Sequence, residues 1–398
     1  MTRRTFPLLL ALAPIALLAA CGDDDTKAST ATTTADTSAA TTTADATGAT
    51  GTTDATGGAD VVAGEPFPAD RCAANQAAGT ITYLSGFDYA ATASIVEILV
   101  AEERGYFDAL CLDVEIKPSF STANYPEIAA NNAQFASGGS FSEVVDFAIA
   151  NDAQFVALAT EGKTGIDALI VKDGGPTDLE GLRGSTIGVK GKITTSVAAM
   201  LAQAGLVEGT DYQTVLLDGF DPKVHIEVPN IVGFPGYKSN EPEQLEAAGI
   251  PFTLFDPADY DIPGSFGILY TNAEFLNEHP TAAQDFMRAA MKGLADSIAD
   301  PAAASEVALS FINASGNAMF LSPEGETARW AVDSQLVADT NANTAVGVPE
   351  PELLTAEVTT YASIGLFGGT APDITPFLDV DLISGVYAAD RTVIWPSA

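Results

Sequence analysis

Four short segments carry side chains suited to gripping a small molecule. Gly191-Lys192-Ile193-Thr194-Thr195-Ser196 follows a β-type run and opens a helix. A lysine, hydroxyls and free amides thus meet at a helix N-terminus, which favours an anion or a carbonyl; capping by Thr194 or Thr195, with Lys192 in water, is the alternative. Phe87-Asp88-Tyr89, directly after an early strand, places an acid between two aromatics. Such a trio can clamp a flat heterocycle at the carboxyl edge of a sheet or pack as a loop on the next helix. Gly138-Gly139-Ser140 precedes another helix, where glycines let backbone amides reach a ligand, or merely form a turn with Ser140 as N-cap. Tyr125, with Phe120 nearby, adds a ring wall or a core side chain.

Covalent chemistry lacks its usual parts. The two histidines are His225 and His279, the second in an Asn-Glu-His-Pro turn, so a histidine-rich metal site is not available. His225-Ile226-Glu227 alternates like a strand and offers at most two ligands. Gly-x-Ser-x-Gly, Walker and dinucleotide fingerprints are absent. The expectation is a binding protein without metal or cofactor, not an enzyme. A formal charge of −36 over 398 residues excludes a nucleic-acid partner, since phosphates would be repelled. Lys163, Lys172, Arg183, Lys190, Lys192, Lys223 and Lys238 concentrate the positive charge in one middle segment, the place to seek a partner for an anionic ligand.

The elements that must position these residues alternate in type. From Thr80 onward, β-type runs at 81–84, 112–117, 155–159 and 168–171 interleave with helical runs at 94–104, 125–132 and 140–150. A second unit follows, with strands at 186–190, 214–217 and 252–255, a helix at 195–204, a Pro/Gly-rich stretch over 218–241 and a short helix at 244–248. Strand 266–270 leads back, and the remainder is mostly helical. This alternation predicts largely parallel sheets covered on both faces. The chain is read as an α/β clamshell of two lobes joined by two crossing strands: residues 61–175 in the first lobe, 176–265 in the second, 266–398 returning to the first. A ligand would sit between the lobes at the strand ends.

The N-terminus resembles a bacterial lipoprotein signal. Arg3 and Arg4 precede an apolar run that closes on Leu18-Ala19-Ala20-Cys21-Gly22, like a lipobox, and the start also loosely matches a twin-arginine signal. The run holds Pro7 and Pro14 and is too short for a comfortable membrane span. Residues 1–20 are therefore expected to be a cleaved signal, Cys21 the lipidation site anchoring the protein outside the cytoplasmic membrane, and residues 21–60 a disordered Thr/Ala/Asp stalk, which lacks large apolar residues to bury. In that oxidising compartment the remaining pair, Cys72 and Cys111, reads as one disulfide.

Three segments carry a family resemblance. Ala101-Glu102-Glu103-Arg104-Gly105-Tyr106-Phe107 with Leu112-Asp113-Val114, Asp178-Leu179-Glu180-Gly181 with Thr186-Ile187-Gly188-Val189, and Thr271-Asn272-Ala273-Glu274-Phe275-Leu276 with His279-Pro280 occur in the order seen in solute-binding proteins of nitrate, sulfonate and thiamine-precursor ABC transporters. The resemblance implies a type II periplasmic-binding-protein fold, a small-molecule ligand, an ABC permease as partner and a monomer. Tyr237-Lys238-Ser239-Asn240-Glu241 resembles the Tyr-x-x-Asn-Glu segment of the branch that binds thiamine pyrimidine precursors. Tyr237 would stack on the ring and Glu241 accept from its amino group, with Asn240 beside them; a polar turn is the alternative. A sulfonate, nitrate or other oxyanion held by Lys192 is the rival ligand, and a hydrolase or a sensor lipoprotein the more distant readings. Residues 218–230 lack the family's usual helix with its Gly-x-Val-Asp-Ala ending.

Overall fold

A computed structural model describes residues 59–315 and 322–397. The signal segment, Cys21 and the stalk through residue 58 lie outside the described residues. Among the described residues, no helix is long and apolar enough to cross a membrane.

Ten strands form two five-stranded sheets of matching design. The first has the order β2 (Asp113–Lys117), β1 (Thr80–Leu84), β3 (Phe135–Gly138), β10 (Phe266–Asn272), β4 (Phe155–Gly162). The second has the order β7 (Gln213–Leu216), β6 (Thr186–Val189), β8 (Gly233–Tyr237), β5 (Asp167–Lys172), β9 (Phe252–Phe255). In each sheet one strand runs against its neighbours: β10 is antiparallel to β3 and β4, and β5 to β8 and β9. These are the strands laid down just after the chain changes lobe. The sheets are therefore mixed where a largely parallel pattern was expected, because a chain that crosses over must enter the new sheet from the shared side.

Sheet membership moves the first lobe boundary. Strand β5 belongs to the second sheet, so the chain leaves the first lobe within residues 163–166, not near Gly175; the return lies within 256–265, close to the expected Ser265. The two crossings touch backbone to backbone: a Cβ on Gly264 would sit 2.6 Å from the Gly165 amide nitrogen. Only glycine permits that approach.

Helices cover both faces of each sheet, as paired apolar faces require. On one face of the first sheet, Ile81, Tyr83 and Phe135 pack against the helices Val96–Glu103 and Pro280–Ala299. On the other, Tyr125, Phe155 and Tyr270 pack with Phe141, Val145 and Val358. The second lobe has its own core around Leu169, Val189, Met200 and Tyr212. Cys72 and Cys111 form a disulfide that staples the helix Ala69–Ala77 to the turn before β2. Closing a loop of 39 residues stabilises the fold by about 3 to 4 kcal/mol in the chain-entropy account.

Two local expectations change. His225-Ile226-Glu227 is the end of a helix, Pro222–Glu227, begun by an Asp221 cap; His225 is buried, with Nε2 3.0 Å from the Asp218 carbonyl oxygen, rather than a ligand on a strand. The Pro/Gly-rich stretch hides β8, Gly-Phe-Pro-Gly-Tyr. Pro235 is tolerated there because β8 pairs with β6 only at Gly233, and β5 alone carries the ladder beyond that point.

A pair of acids lies buried beside the first crossing. Glu97 and Glu161, both 0% exposed, face each other, and among the described residues no base is paired with either. Two ionised carboxylates have no hydrogen to share, so the pair holds a proton. Burial raises both pKa values, that of Glu161 to about 7, while Glu161 raises Glu97 further; Tyr83, Asp333 and Tyr387 are the other titratable groups within their field. The folded pair holds its proton at pH values where unfolded glutamates, with pKa about 4.3, have lost theirs. Its contribution to stability is complete below that value and is lost as pH rises through the folded pKa values, at up to about 1.4 kcal/mol per pH unit per proton. Melting temperature should therefore fall from pH 5 to pH 9 in the wild type and fall less in Glu161→Gln; equal slopes in the two proteins would refute a shared proton.

Candidate functional site

Between the lobes lies a cavity of about 280 Å³. The first lobe supplies Phe87 and Thr92 from the chain after β1 and Arg329 from the helix Pro323–Thr340; the second supplies Asp167, Lys190, Lys192, Thr194 and the segment from Pro235 to Glu241 apart from Lys238. A wider cavity of about 740 Å³ adjoins it, sharing Phe220, Asn240 and Gln244.

Tyr237 is the ring set into this space. It ends β8 and is 49% exposed, yet the water it meets is that of a cleft walled by both lobes. Burial pushes its hydroxyl well above the ordinary tyrosine value, and the carboxylates of Asp167, Glu143 and Glu241 add to the effect. Glu241 lines the same cavity, but both its oxygens are already engaged: Oε1 takes the Lys190 ammonium at 2.7 Å and Oε2 the Tyr237 amide at 2.8 Å. That carboxylate holds the tyrosine turn in shape, so its removal would unpair Lys190 and loosen Tyr237 as well as alter the cavity.

The turn also joins the lobes. Asn240 Oδ1 accepts from Arg329 at 3.1 Å and from Gln244 at 3.0 Å. Ser239 lies near Asp333, which takes the Thr92 hydroxyl at 2.5 Å and the Ala93 amide at 3.1 Å. Arg329 is braced by Glu326 and lies 5.7 Å from the Phe87 ring centroid, within cation–π range.

The two helix starts differ in availability. At the Phe141–Asn151 helix Ser140 is the N-cap, accepting from the Glu143 amide at 3.3 Å; the Phe141 amide goes to Ser265 and the Ser142 amide to Glu357. Those three donors are spent inside the protein, and Gly138 and Gly139 serve close packing against Val144 and Glu143. Gly139 and Ser140 are thus positioned by the capping alternative rather than as ligand groups. At the Thr195–Gln203 helix Thr194 makes no side-chain cap bond, and its buried Oγ1 has no partner. Lys192 and Thr194 line the cavity, whereas Thr195 does not.

Three further expected contacts sit elsewhere. Asp88 is buried, with Oδ1 taking the Tyr89 amide at 2.8 Å. Tyr89 packs edge-on against Phe311 and donates its hydroxyl to the Ile116 carbonyl. Tyr125 is a core ring stacked on Phe147 at 4.6 Å, with its hydroxyl near Tyr237 and Glu143, one layer behind the cleft. Phe87, Lys192, Thr194, Tyr237, Asn240 and Glu241 are brought together. Asp167, Phe220 and Arg329 were missed: Asp167 reads as the polar edge of an apolar strand, Phe220 falls in the Pro/Gly stretch, and Arg329 lies on a C-terminal helix outside the family motifs. A lone acid opening an apolar run just after a glycine was the one available signal for Asp167.

Two α/β lobes on a double crossing, with an aromatic and several charged groups in the cleft between them, define the architecture of a periplasmic binding protein. The chain belongs to the NMT1/THI5 like family, whose model matches residues 92–304. Over 133 residues it is 34% identical to riboflavin-binding protein RibY of Chloroflexus aurantiacus, covering 33% of this chain and 37% of that protein. The chain thus spans little more than a third of the length of that curated relative. The fold is shared with the periplasmic aliphatic sulphonate binding protein SsuA of Escherichia coli (TM-score 0.53, 12% identity, 71% of this chain and 85% of that one). It is shared equally with the periplasmic nitrate-binding protein NrtA of Synechocystis (TM-score 0.53, 14% identity, 80% and 91%).

Because Asn240 carries the bond between lobes without filling either core, Asn240→Ala should leave the fold intact and shift ligand-free protein toward an open form. Small-angle scattering would show a larger radius of gyration; an unchanged radius would mean that the Arg329 contact does not hold the lobes together.

Proposed function

We propose that this protein is a lipid-anchored, extracytoplasmic solute-binding component of an ABC importer, which closes its lobes on a small planar nitrogen heterocycle and presents the closed form to a permease. The observation that carries the ligand class is Tyr237, a half-exposed ring inside a cleft of about 280 Å³, with Phe87 and Phe220 on the same walls. A thiamine pyrimidine precursor fits such a volume. A flavin is the larger candidate, suggested by the name of the RibY relative, and would extend toward the adjoining space. A small oxyanion is the second reading, favoured by Lys192 beside the uncapped start of the Thr195–Gln203 helix.

Thermal-shift screening against 4-amino-2-methylpyrimidines, riboflavin, nitrate and an alkanesulfonate tests the reading, since a ligand at a hundredfold excess over Kd stabilises the native state by about 2.7 kcal/mol. A heterocycle should raise the melting temperature, and Tyr237→Ala should abolish that rise while leaving ligand-free melting nearly unchanged. Stabilisation by nitrate or sulfonate, lost in Lys192→Ala, would establish the rival instead.

The tether is testable separately. Cys21→Ser should give protein that folds, lacks the lipid and leaves the membrane fraction. Retention of the variant in the membrane would overturn lipid anchoring.

A further inference from the structure

The cleft contains polar atoms that the protein itself leaves unsatisfied. Asp167 opens β5, the first strand laid down after the crossing into the second lobe, and it is part of the lining of the cavity that holds Tyr237. Oδ2 receives a long bond of 3.3 Å from Ser196; Oδ1 is buried and has no partner. Thr194 Oγ1, in the same lining, is likewise buried and unpartnered. Buried polar atoms are almost always bonded, so two residues of one cavity lining that each carry an orphan oxygen mark a place where a ligand can complete the set.

The charges around Asp167 decide what that ligand must bring. Glu143 faces it from the Phe141–Asn151 helix and Glu241 from the Glu241–Ala247 helix; Tyr237 stands on β8 and Tyr361 on the Pro351–Ser363 helix. Lys238, the base that acts on Asp167, is committed to Asp256 at 2.9 Å, and Lys190 to Glu241 at 2.7 Å. Lys192 lies along the same wall and interacts with Glu143. No ion pair to Asp167 occurs among the described residues. An acceptor-only anion could bond the Asp167 carboxyl only in its protonated form and would meet Glu143 and Glu241 beside it, whereas a ligand with N–H groups pairs with the ionised carboxylate directly.

We propose that Asp167 is the residue that reads the ligand, accepting a hydrogen bond from a ring N–H or exocyclic amino group of the heterocycle, with Thr194 as the neighbouring polar contact. This rests on the heterocycle reading of the cleft given above. Burial and the nearby carboxylates push the Asp167 pKa to about 7, so in the empty protein the carboxyl is part-protonated at neutral pH. A donating ligand requires the ionised acceptor. Binding therefore expels the residual proton, and affinity rises with pH through the neutral range before levelling off above it.

The test uses the full-length protein purified in detergent and the tightest-binding member of the panel of 4-amino-2-methylpyrimidines, riboflavin, nitrate and alkanesulfonate, titrated calorimetrically from pH 5.5 to 8.5. Wild-type Kd should tighten by roughly thirtyfold over that span, following the ionised fraction of one such carboxyl. Paired buffers of different ionisation enthalpy should report release of about half a proton at pH 7, as a half-ionised carboxyl requires. Asp167→Asn keeps an acceptor oxygen and should flatten the pH profile; Asp167→Ala should weaken binding by at least about fivefold at pH 8.5. Melting curves of the ligand-free variants establish that they fold. A pH-independent wild-type Kd, proton uptake on binding, or an Asp167→Asn profile as steep as the wild type would overturn the proposal. If Tyr237→Ala still loses binding in that case, the cleft reading stands and only the role of Asp167 falls. If Tyr237→Ala binds normally, the site itself is misplaced.

Discussion

The molecule depends on two strands of backbone lying in contact. Residues 163–166 carry the chain out of the first sheet, and Gly264 brings it back against Gly165 with no room for a side chain. Everything else is arranged around that double seam. Each lobe acquires one antiparallel strand from it, and each sheet ends beside the other's. Most of the cleft residues come from those strand ends and the loops next to them, as expected for ligand sites in α/β sheets, with Arg329 added from the Pro323–Thr340 helix.

The chemistry of the cleft follows from how few bases it has to spend. In a chain of −36 formal charge, Lys190, Lys238 and Arg329 each already hold a carboxylate. Each pairing fixes a segment: Glu241 and Lys190 shape the Tyr237 turn, and Arg329 meets Asn240 across the lobes. What remains for a ligand is mostly acceptor oxygen and aromatic face. That balance is a property of the assembled site, since any one of these side chains alone reads as an ordinary surface charge.

The clamshell was legible because its signals are local. β-branched and aromatic runs mark β1 and β10, and Gly105, at φ +68°, ends the turn after the Val96–Glu103 helix as the family motif implies. The less legible parts break local rules. Gly-Gly-Pro at 174–176 looks like a domain boundary but is a turn inside the second lobe, whereas the true crossing, Lys-Thr-Gly-Ile, carries little punctuation. Strand β8 holds two glycines and a proline and gains its conformation from β5. Half of the expected ligand positions line the cavity, because spacing identifies a loop at the sheet edge without saying which side chains turn inward. Asp88, Tyr89 and Tyr125 turn toward the first lobe and its core.

The Pro351–Ser363 helix belongs to both bodies. Leu354 and Val358 enter the core of the first lobe, while Tyr361 enters that of the second and donates its hydroxyl to the Pro263 carbonyl at 2.9 Å. Pro263 adjoins Gly264, so this third attachment falls next to the seam rather than away from it. Shear or twist between the lobes would have to pull Tyr361 out of the second core and break its bond to Pro263. An attachment set beside the crossing strands opposes a rotation about those strands least. It therefore acts as a guide that keeps the two walls of the cleft in register.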